Sequence, residues 1–333
     1  MHLAVDAGGT STRAVVLDTS GHAYGYGRAG AGNPTAAGIG PAVSAIGSAA
    51  RHALADTTSA ERPALALIAM AGEKTVAFRD QVVGRLAELG LHRVVLEHDL
   101  LGIFHSGTAA LDGYALIAGT GTVAARIRAG RLDRVAGGKG WLLGDAGGGF
   151  WIGHAVARAV VAALDGQGPE TDLTDLVMEA TEIEADRSTA AGRADALRRL
   201  VSALYARPPI SLADFAPLAF RAHEDRVARP ILVGASAALA DLLAAVQAPD
   251  MPGPAVVGGS VIVRGILAAP PSLGAELVPL VSDTVIPVPD GLVGAAVLAL
   301  RYAGHEVDEV LFRTIQAEVA RVSAAATPAV PDP

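Results

Sequence analysis

Three glycine-rich turns in the chain have the composition of phosphate-binding turns. They are Gly8-Gly9-Thr10, Gly119-Thr120-Gly121-Thr122 and Gly258-Gly259-Ser260, and each follows a run of small apolar residues typical of a buried strand. Glycine lets backbone N–H groups converge on an anion without Cβ crowding, and the Thr and Ser hydroxyls add donors at the same place. Each turn alone could equally be a tight connection without a ligand. The Walker pattern G-x-x-x-x-G-K is absent, so a P-loop enzyme is not expected.

Two aspartates end strand-like segments in a way that suits phosphoryl transfer. Asp6 comes immediately before the first glycine turn, and Asp99 follows the segment Val95 to His98. A carboxylate within hydrogen-bond reach of an alcohol can orient it and accept its proton. Strand alternation would place Glu97 on the same face as Asp99, which makes Glu97 the nearest rival for the role of base. Asp6 could instead cap a turn, and Asp99 could cap a following helix or lie on the surface.

Composition narrows the classes of protein that the chain can represent. Its 333 residues predict two domains, and 51% hydrophobic against 18% charged residues exclude a disordered chain. A net charge of −8 disfavours a nucleic-acid binder and mildly favours a small cationic substrate. The absence of cysteine excludes disulfides, thiolate metal sites and iron–sulfur ligation, and it suits a reducing cytoplasm.

No targeting or membrane segment is expected from the sequence. The first residues lack the basic and long apolar regions of a signal peptide. The longest uncharged run, between Arg28 and Arg51, is too rich in Gly, Pro, Asn and Ser to form a spanning helix. We therefore expect a cytoplasmic protein without a membrane partner.

The chain repeats one pattern, which predicts a duplicated mixed α/β architecture. A strand, a Gly/Thr turn and two further strands occur from residue 3 and again from residue 114, and Gly9 and Gly121 are 112 residues apart (121 − 9). Helix-like and strand-like segments alternate between the two units, and helices dominate after Phe150. An apolar stripe from Val307 to Val322 predicts an amphipathic helix, and Ser211-x-x-Asp214 has the spacing of a capping box. The last residues, TPAVPDP, are expected to fray.

The order and spacing of the glycine turns resemble the sugar kinase/actin/heat-shock ATPase superfamily. The segments that carry the resemblance are DAGGTSTR at 6–13, IAGTGTVA at 117–124 and VVGGSVI at 256–262. The resemblance implies an α/β fold with two ribonuclease-H-like domains around an interdomain cleft. It places the first domain at 1–110, completed by a C-terminal helix at 305–325, and the larger second domain at 111–304.

The same resemblance implies ATP and Mg²⁺ as cofactors. It places Mg²⁺ at Asp6, and it places ATP at residues of the three turns: Gly8, Gly9, Thr10, Arg13, Thr120, Gly121, Thr122, Gly258, Gly259 and Ser260.

The segment 137–153 resembles the part of N-acetylglucosamine kinases and related activator-type ATPases that closes over the sugar. By this resemblance Asp99 is the catalytic base, and the substrate contacts are Asn33, Gly72, Asp99, Thr120, Gly138, Lys139 and Asp145. The relatives usually carry Glu-Gly-Ser after the aspartate, whereas this chain has Ala146-Gly147-Gly148, so the role of that Glu does not carry over. Lys139 stands where a Trp is common. Asn33 could also be an Asn-Pro turn residue and Lys139 an exposed loop residue, and we expect Trp141 and Trp151 to pack in the core.

Among such enzymes the chain most resembles stand-alone bacterial glucosamine kinases, which phosphorylate the 6-hydroxyl of D-glucosamine. The alternatives are an N-acetylglucosamine kinase or a broader hexosamine kinase, and outside catalysis a sugar-sensing regulator. A regulator would carry a DNA-binding helix-turn-helix, which we do not expect ahead of a turn that begins at residue 6. Dehydratase activator ATPases share the fold but hold an iron–sulfur cluster through cysteine, so the lack of cysteine excludes that activity. The resemblance also implies a homodimer and a small sugar as partner.

Overall fold

Small apolar residues build two sheets with the same connectivity. The computed structural model describes residues 1–57, 61–72, 75–184, 189–190, 192–274 and 285–326. The first sheet has the order β3-β2-β1-β4-β5. Its strands are β1 (His2–Ala7), β2 (Thr12–Leu17), β3 (Ala23–Ala29), β4 (Leu65–Met70) and β5 (Val94–His98). β1, β2 and β3 pair antiparallel, whereas β4 and β5 run parallel to β1.

The second sheet repeats this order as β8-β7-β6-β11-β12. Three strands, β6 (Gly113–Ala118), β7 (Thr122–Arg128) and β8 (Arg131–Gly137), again pair antiparallel. A separate short pair precedes the last two strands: β9 (Thr189–Ala190), β10 (Arg193–Ala194), β11 (Ala255–Gly258) and β12 (Val285–Pro287). β11 and β12 run parallel to β6. The duplication that the glycine turns predicted is therefore a duplication of sheet topology.

Helices cover both faces of each sheet. They are α1 (Pro34–Ala37), α2 (Ile39–Ala55), α3 (Val76–Ala87), α4 (Asp99–Gly107), α5 (Gly149–Leu164), α6 (Leu173–Ala180), α7 (Asp195–Tyr205), α8 (Ala216–Arg221), α9 (Ala228–Ala244), α10 (Pro271–Gly274), α11 (Leu292–Tyr302) and α12 (Glu309–Ala325). Residues Pro209–Phe215 form a 3₁₀ helix and Val261–Ile266 a π-helical turn. No helix in the described part of the chain combines the length and apolar composition needed to cross a bilayer.

Among the described residues, three apolar clusters hold the layers together. One lies between the first sheet and helices α2 and α3, and another between the second sheet and helices α5 to α9. The third lies between the two sheets and contains α4, α11 and α12 together with inward residues of both. The two sheets therefore share a buried core, which fixes the loops of one against the loops of the other.

Glycines allow α4 and α11 to cross at short range inside this shared core. A Cβ at Gly294 would lie 1.8 Å from the carbonyl oxygen of Gly102, so no other residue fits there without displacement. The Gly294 N–H donates to Ser106 Oγ at 2.8 Å. At the far end of α11, Arg301 Nη1 lies 3.1 Å from Nδ1 of the buried His105, and Nη2 donates to the Ala109 carbonyl. These contacts fix α11 against α4, which is the helix that begins with Asp99.

The predicted elements agree with the structure in most places. The predicted C-terminal amphipathic helix is α12, whose buried residues Phe312, Ile315 and Val319 pack in the shared core. The Ser211/Asp214 capping box is wrong: this stretch is a 3₁₀ helix without a side-chain cap, and Asp214 pairs with Arg207. The expected C-terminal fraying at 327–333 lies outside the described residues. The domain limits at 1–110, 111–304 and 305–325 remain a proposal, with α11 packed against β1 and β4.

Candidate active site

The carboxyl ends of three parallel strands bring the first group of predicted site residues to one edge. The register pairs Asp6 of β1 with Ala69 of β4, and Met70 of β4 with His98 of β5. The glycine turn after β1, Gly72 after β4 and Asp99 after β5 therefore emerge side by side. Crevices at the carboxyl ends of parallel strands are the usual ligand sites of open α/β sheets.

Asp6 is buried in this edge and surrounded by charge. The residue is 8% exposed, and Arg13, its partner in the β1–β2 register, brings Nη1 to 3.7 Å from Oδ2. Burial raises the pKa of Asp6 to about 7, and the nearby Asp290 and Asp99 carboxylates act in the same direction. Arg13 and a hydrogen bond from the Gly291 N–H oppose that shift in pKa. A buried carboxylate with too few positive neighbours is a site that favours a cation.

Asp290 is the residue of this cluster that our sequence analysis missed. It follows β12 of the second sheet, and its Oδ2 lies 3.4 Å from Nε of Arg13. Its Oδ1 accepts the N–H of Leu292 at 3.0 Å, at the start of α11. The signal was available, because Asp290-Gly291 comes between a short apolar strand and an apolar helix, as Asp6 comes between a strand and a glycine turn.

Asp99 and Glu97 differ in what they contact. Asp99 is the half-buried first residue of α4, and its Oδ1 accepts the N–H of Leu100 at 2.9 Å. Glu97 accepts a hydrogen bond from the Tyr302 hydroxyl. Burial and this bond to Glu97 raise the pKa of Tyr302 to about 12. Asp99 acts electrostatically on Asp6, whereas Glu97 is tied to the end of α11. The structure therefore associates Asp99 with the cluster around Asp6.

The second sheet brings its own two glycine turns together. β6 and β11 are neighbours, with Ile117 opposite Gly258, so both turns leave the same edge. Gly259 has φ +94°, and a Cβ there would lie 2.3 Å from the Ala118 carbonyl oxygen, which requires glycine. Ser260 follows directly. The predicted ATP residues thus form one group at each sheet edge.

Asp145 lies against the Gly119-Thr120-Gly121-Thr122 turn. A Cβ at Gly121 would be 2.3 Å from Oδ2 of Asp145, so the carboxylate occupies the space that glycine leaves. The backbone N–H groups of Thr122 and Gly140 donate to the carboxylate, while burial raises its pKa. Its Oδ1 is buried without a hydrogen-bond partner among the described residues. Asp145 also has φ +59°, a strained conformation outside glycine.

The remaining predicted substrate residues form two small groups. Asn33 caps α1 by accepting the Thr35 N–H at 2.9 Å, and a Cβ at Gly72, which has φ +87°, would lie 2.7 Å from Asn33 Oδ1. Gly138 and Lys139 lie on an exposed turn. Trp141 on this turn is 39% exposed and packs on Phe150 with ring centroids 5.0 Å apart, so the expectation of core packing for Trp141 is wrong. Trp151 does pack partly against the core of the second sheet.

Comparison with known proteins assigns the family. The model described as the BadF/BadG/BcrA/BcrD ATPase family matches residues 3–299. The chain belongs to this family. Its description as an ATPase family confirms the expectation of ATP as a cofactor.

Three similar proteins are named as N-acetylglucosamine kinases or as candidates for that activity. The N-acetyl-D-glucosamine kinase of Dictyostelium discoideum is 32% identical over 154 residues, which is 44% of this chain and 45% of that protein. The chain therefore matches less than half of this curated relative. A candidate N-acetylglucosamine kinase from Chromobacterium violaceum is similar in structure, with TM-score 0.66 and 23% identity over 90% of this chain and 98% of that one. A second, from Porphyromonas gingivalis, has TM-score 0.66 and 17% identity over 92% of this chain and 100% of that one. These structures confirm the two-domain actin-like ATPase fold.

The donor set of this ATPase-family site fits Mg²⁺. Asp6 would supply a carboxylate oxygen with the Asp290 carboxylate nearby, and Mg²⁺ commonly takes one or two carboxylates and completes its shell with water and phosphate oxygens. No group of three or more His, Cys, Asp or Glu residues with metal-binding geometry occurs in the described ranges. A Mg²⁺ ion held by so few carboxylates would take most of its ligands from water and phosphate oxygens.

Proposed function

We propose that this protein is an ATP-dependent amino-sugar kinase that transfers the γ-phosphoryl group of ATP to the 6-hydroxyl of N-acetylglucosamine. The products would be N-acetylglucosamine 6-phosphate and ADP. Our first expectation from the sequence was glucosamine, but the named relatives are N-acetylglucosamine kinases, and they favour the alternative. Glucosamine is the second candidate.

The observation that carries the proposal is that Asp99 and Asp6 lie at the same edge of the first sheet. Asp6 is near the carboxyl end of β1 and Asp99 follows β5, and both strands run parallel to β4 between them. The glycine turns of both sheets supply backbone N–H donors for phosphate. A carboxylate next to a phosphate-binding site is the arrangement that phosphoryl transfer to an alcohol needs.

In this proposal each residue has a separate task. Asp6 would hold Mg²⁺ with Asp290 nearby, and the bound ion would neutralise charge on the phosphate oxygens. The N–H groups of the Gly8-Gly9-Thr10 and Gly119–Thr122 turns would donate to the transferred phosphoryl group. Asp99 would accept the hydrogen bond of the sugar 6-hydroxyl and take its proton as the oxygen attacks phosphorus. Positioning and charge stabilisation would supply most of the rate enhancement.

Asp145 supports a polar sugar as the acceptor. A buried carboxylate oxygen without a partner is costly, and a donor on the substrate would satisfy it. Either a sugar hydroxyl or the substituent nitrogen at C2 could supply that donor. An ammonium at C2 would pair with Asp145, which is the observation that keeps glucosamine as second candidate. Lys139 is on the same turn, and its positive charge works against a cationic sugar.

Homodimer formation and a cytoplasmic location also belong to this proposal. The dimer rests on the family resemblance, and the location rests on the absence of cysteine. Light scattering of the purified full chain would test the oligomeric state, and cell fractionation would test the location.

A coupled ADP-release assay over four sugars tests the proposal. N-acetylglucosamine, glucosamine, glucose and mannosamine would be compared with Mg·ATP, and phosphorus NMR would locate the phosphate on the product. We expect the highest kcat/KM with N-acetylglucosamine and phosphate on O6. A preference for glucosamine would replace the substrate but keep the class of reaction. ATP hydrolysis that no sugar accelerates would refute the proposal of a sugar kinase.

A further inference from the structure

The connection between β12 and α11 joins the second sheet to the phosphate edge of the first. It consists of residues 288–291 and ends in Asp290-Gly291. A Cβ at Gly291 would lie 2.8 Å from Oδ1 of Asp6 and 3.5 Å from the carbonyl carbon of Gly102. The Gly291 N–H donates to Asp6. The backbone of this connection therefore lies directly on the Asp6 carboxylate, and only glycine allows that approach.

The two oxygens of Asp290 have different partners. Oδ1 accepts the Leu292 N–H at 3.0 Å, which fixes the carboxylate to the first turn of α11. Oδ2 lies 3.4 Å from Nε of Arg13. Arg13 also places Nη1 3.7 Å from Asp6 Oδ2, so one guanidinium stands between a carboxylate of each sheet. Because Oδ1 is held by the helix, the direction in which Oδ2 faces Arg13 is set by the backbone.

These contacts lead to an assignment for Asp290 that rests on the proposed function. We propose that Asp290 is a positioning residue: it holds the Arg13 guanidinium, and its loop holds the Asp6 carboxylate, in the orientation that receives Mg²⁺ with the nucleotide phosphates. The two carboxylates outnumber the one guanidinium, so the cluster keeps an excess of negative charge for a divalent cation. Without the Asp290 charge, Arg13 pairs with Asp6 alone and competes with Mg²⁺ for it.

The substitution Asp290→Asn separates this role from a structural one. Asparagine keeps a side-chain oxygen for the Leu292 N–H and forms this bond to the second residue along as readily as aspartate, so only the charge facing Arg13 is lost. Asp290→Glu keeps the charge, but its longer side chain makes this local hydrogen bond less readily. A role limited to the hydrogen bond with Leu292 would leave the Asn variant normal and impair the Glu variant, whereas a charge that positions Arg13 predicts the reverse order.

The experiment is calorimetric titration of the full chain with ADP, in EDTA and in MgCl₂, without sugar. In the wild type we expect Mg²⁺ to strengthen ADP binding. In Asp290→Asn we expect that strengthening to fall by about fivefold or more, the low end of usual coupling between sites. Asp290→Glu should recover part of it. The matched control is Asp308→Asn, which removes the same charge from the N-cap of α12, where Asp308 accepts the Leu311 N–H at 2.8 Å.

Turnover and a double variant complete the test. We expect Asp290→Asn to lower kcat about tenfold or more while the sugar KM changes less than twofold, since no sugar contact is assigned to it. Combining it with Arg13→Gln should cost little more than Arg13→Gln alone, because both remove one interaction. If Asp290→Asn is too unstable to titrate, Arg13→Gln alone should reproduce the smaller strengthening of ADP binding by Mg²⁺, because it removes the same ion pair from its other side; wild-type strengthening in that variant would overturn the assignment.

The outcomes distinguish this inference from the proposed function. An Asp290→Asn variant with wild-type dependence on Mg²⁺, or additive losses in the double variant, would overturn the assignment and leave the kinase proposal intact. A wild-type chain that binds no ADP under either condition would overturn both.

Discussion

Replacing Gly294 with alanine tests whether the close crossing of α4 and α11 holds the two sheets together. The added Cβ would lie 1.8 Å from the carbonyl oxygen and 2.7 Å from the carbonyl carbon of Gly102, both backbone atoms that cannot rotate away. Overpacking in a core costs roughly 1–3 kcal/mol, and this contact belongs at the upper end or beyond. Alanine regains at most about 1 kcal/mol of helix propensity. We expect a net loss of about 2 kcal/mol or more in the free energy of unfolding.

The matched control is Gly84→Ala in α3. Gly84 is exposed, and a Cβ there meets no atom within 4 Å outside its own helix and chain neighbours. The same substitution should therefore stabilise by about 0.5–1 kcal/mol. Urea unfolding followed by circular dichroism measures both. Because α4 begins with Asp99, Gly294→Ala should also lower kcat. A Gly294→Ala variant as stable as Gly84→Ala would refute the close packing from which these values follow.

Three further predictions concern charge. Because Asp6 has a pKa of about 7 in the fold against an ordinary 3.8, the wild type should lose stability relative to Asp6→Asn as pH rises from 4 to 8. A difference between the two urea midpoints that is the same at pH 4 and at pH 8 would contradict this. Burial and the charge of Arg301 lower the pKa of His105 to about 3 from an ordinary 6.5. The stability that neutral His105 contributes is therefore complete above pH 6.5 and is lost as pH falls. By the same assay, the His105→Gln variant should lose less stability than the wild type between pH 6.5 and 4. Asp145→Asn should lower kcat/KM for the accepted sugar roughly 10- to 100-fold through loss of a charge-assisted hydrogen bond, and an unchanged value in the ADP-release assay would remove Asp145 from the substrate site.

Much of the fold could be predicted from local patterns. Buried strands such as β1 and β6 are short apolar runs that end in glycine turns, so their type and limits follow from composition. The duplication was visible because both units repeat the same turn at a constant distance. The apolar stripe of α12 predicted a helix, because one face of this helix is buried against the shared core.

Helix α11 shows why other parts could not be predicted. Almost every residue from Leu292 to Leu300 is buried, so the segment has no polar face to reveal a helical period. Its position depends on contacts with α4 and β1, which lie far away in sequence. Asp290 was missed for the same reason: its partner Arg13 is at the other end of the chain, and only the assembled sheets bring them together.

Some residues of the candidate site could be located from local sequence patterns, and others could not. Residues at strand ends, such as Asp6, Asp99 and Gly259, could be located because parallel strands deliver their carboxyl ends to one edge. Residues on the connection from β8 to α5 could not. Trp141 lies on Phe150 instead of in the core, and Asp145 lies against Gly121 through a strained backbone that no local pattern predicts.

In the proposed reaction Asp99 faces the accepting hydroxyl, and a comparison of two isosteric variants tests this assignment most directly. Sugar-dependent ADP release would be measured for Asp99→Asn and for Glu97→Gln, with ADP binding measured on both as a control for folding. We predict that Asp99→Asn loses turnover by a factor of at least about 10² while binding ADP normally, the usual contribution of a positioned base. Glu97→Gln should keep turnover within a few-fold, because Glu97 contacts Tyr302. Normal turnover in Asp99→Asn, or its loss in Glu97→Gln alone, would contradict the assignment.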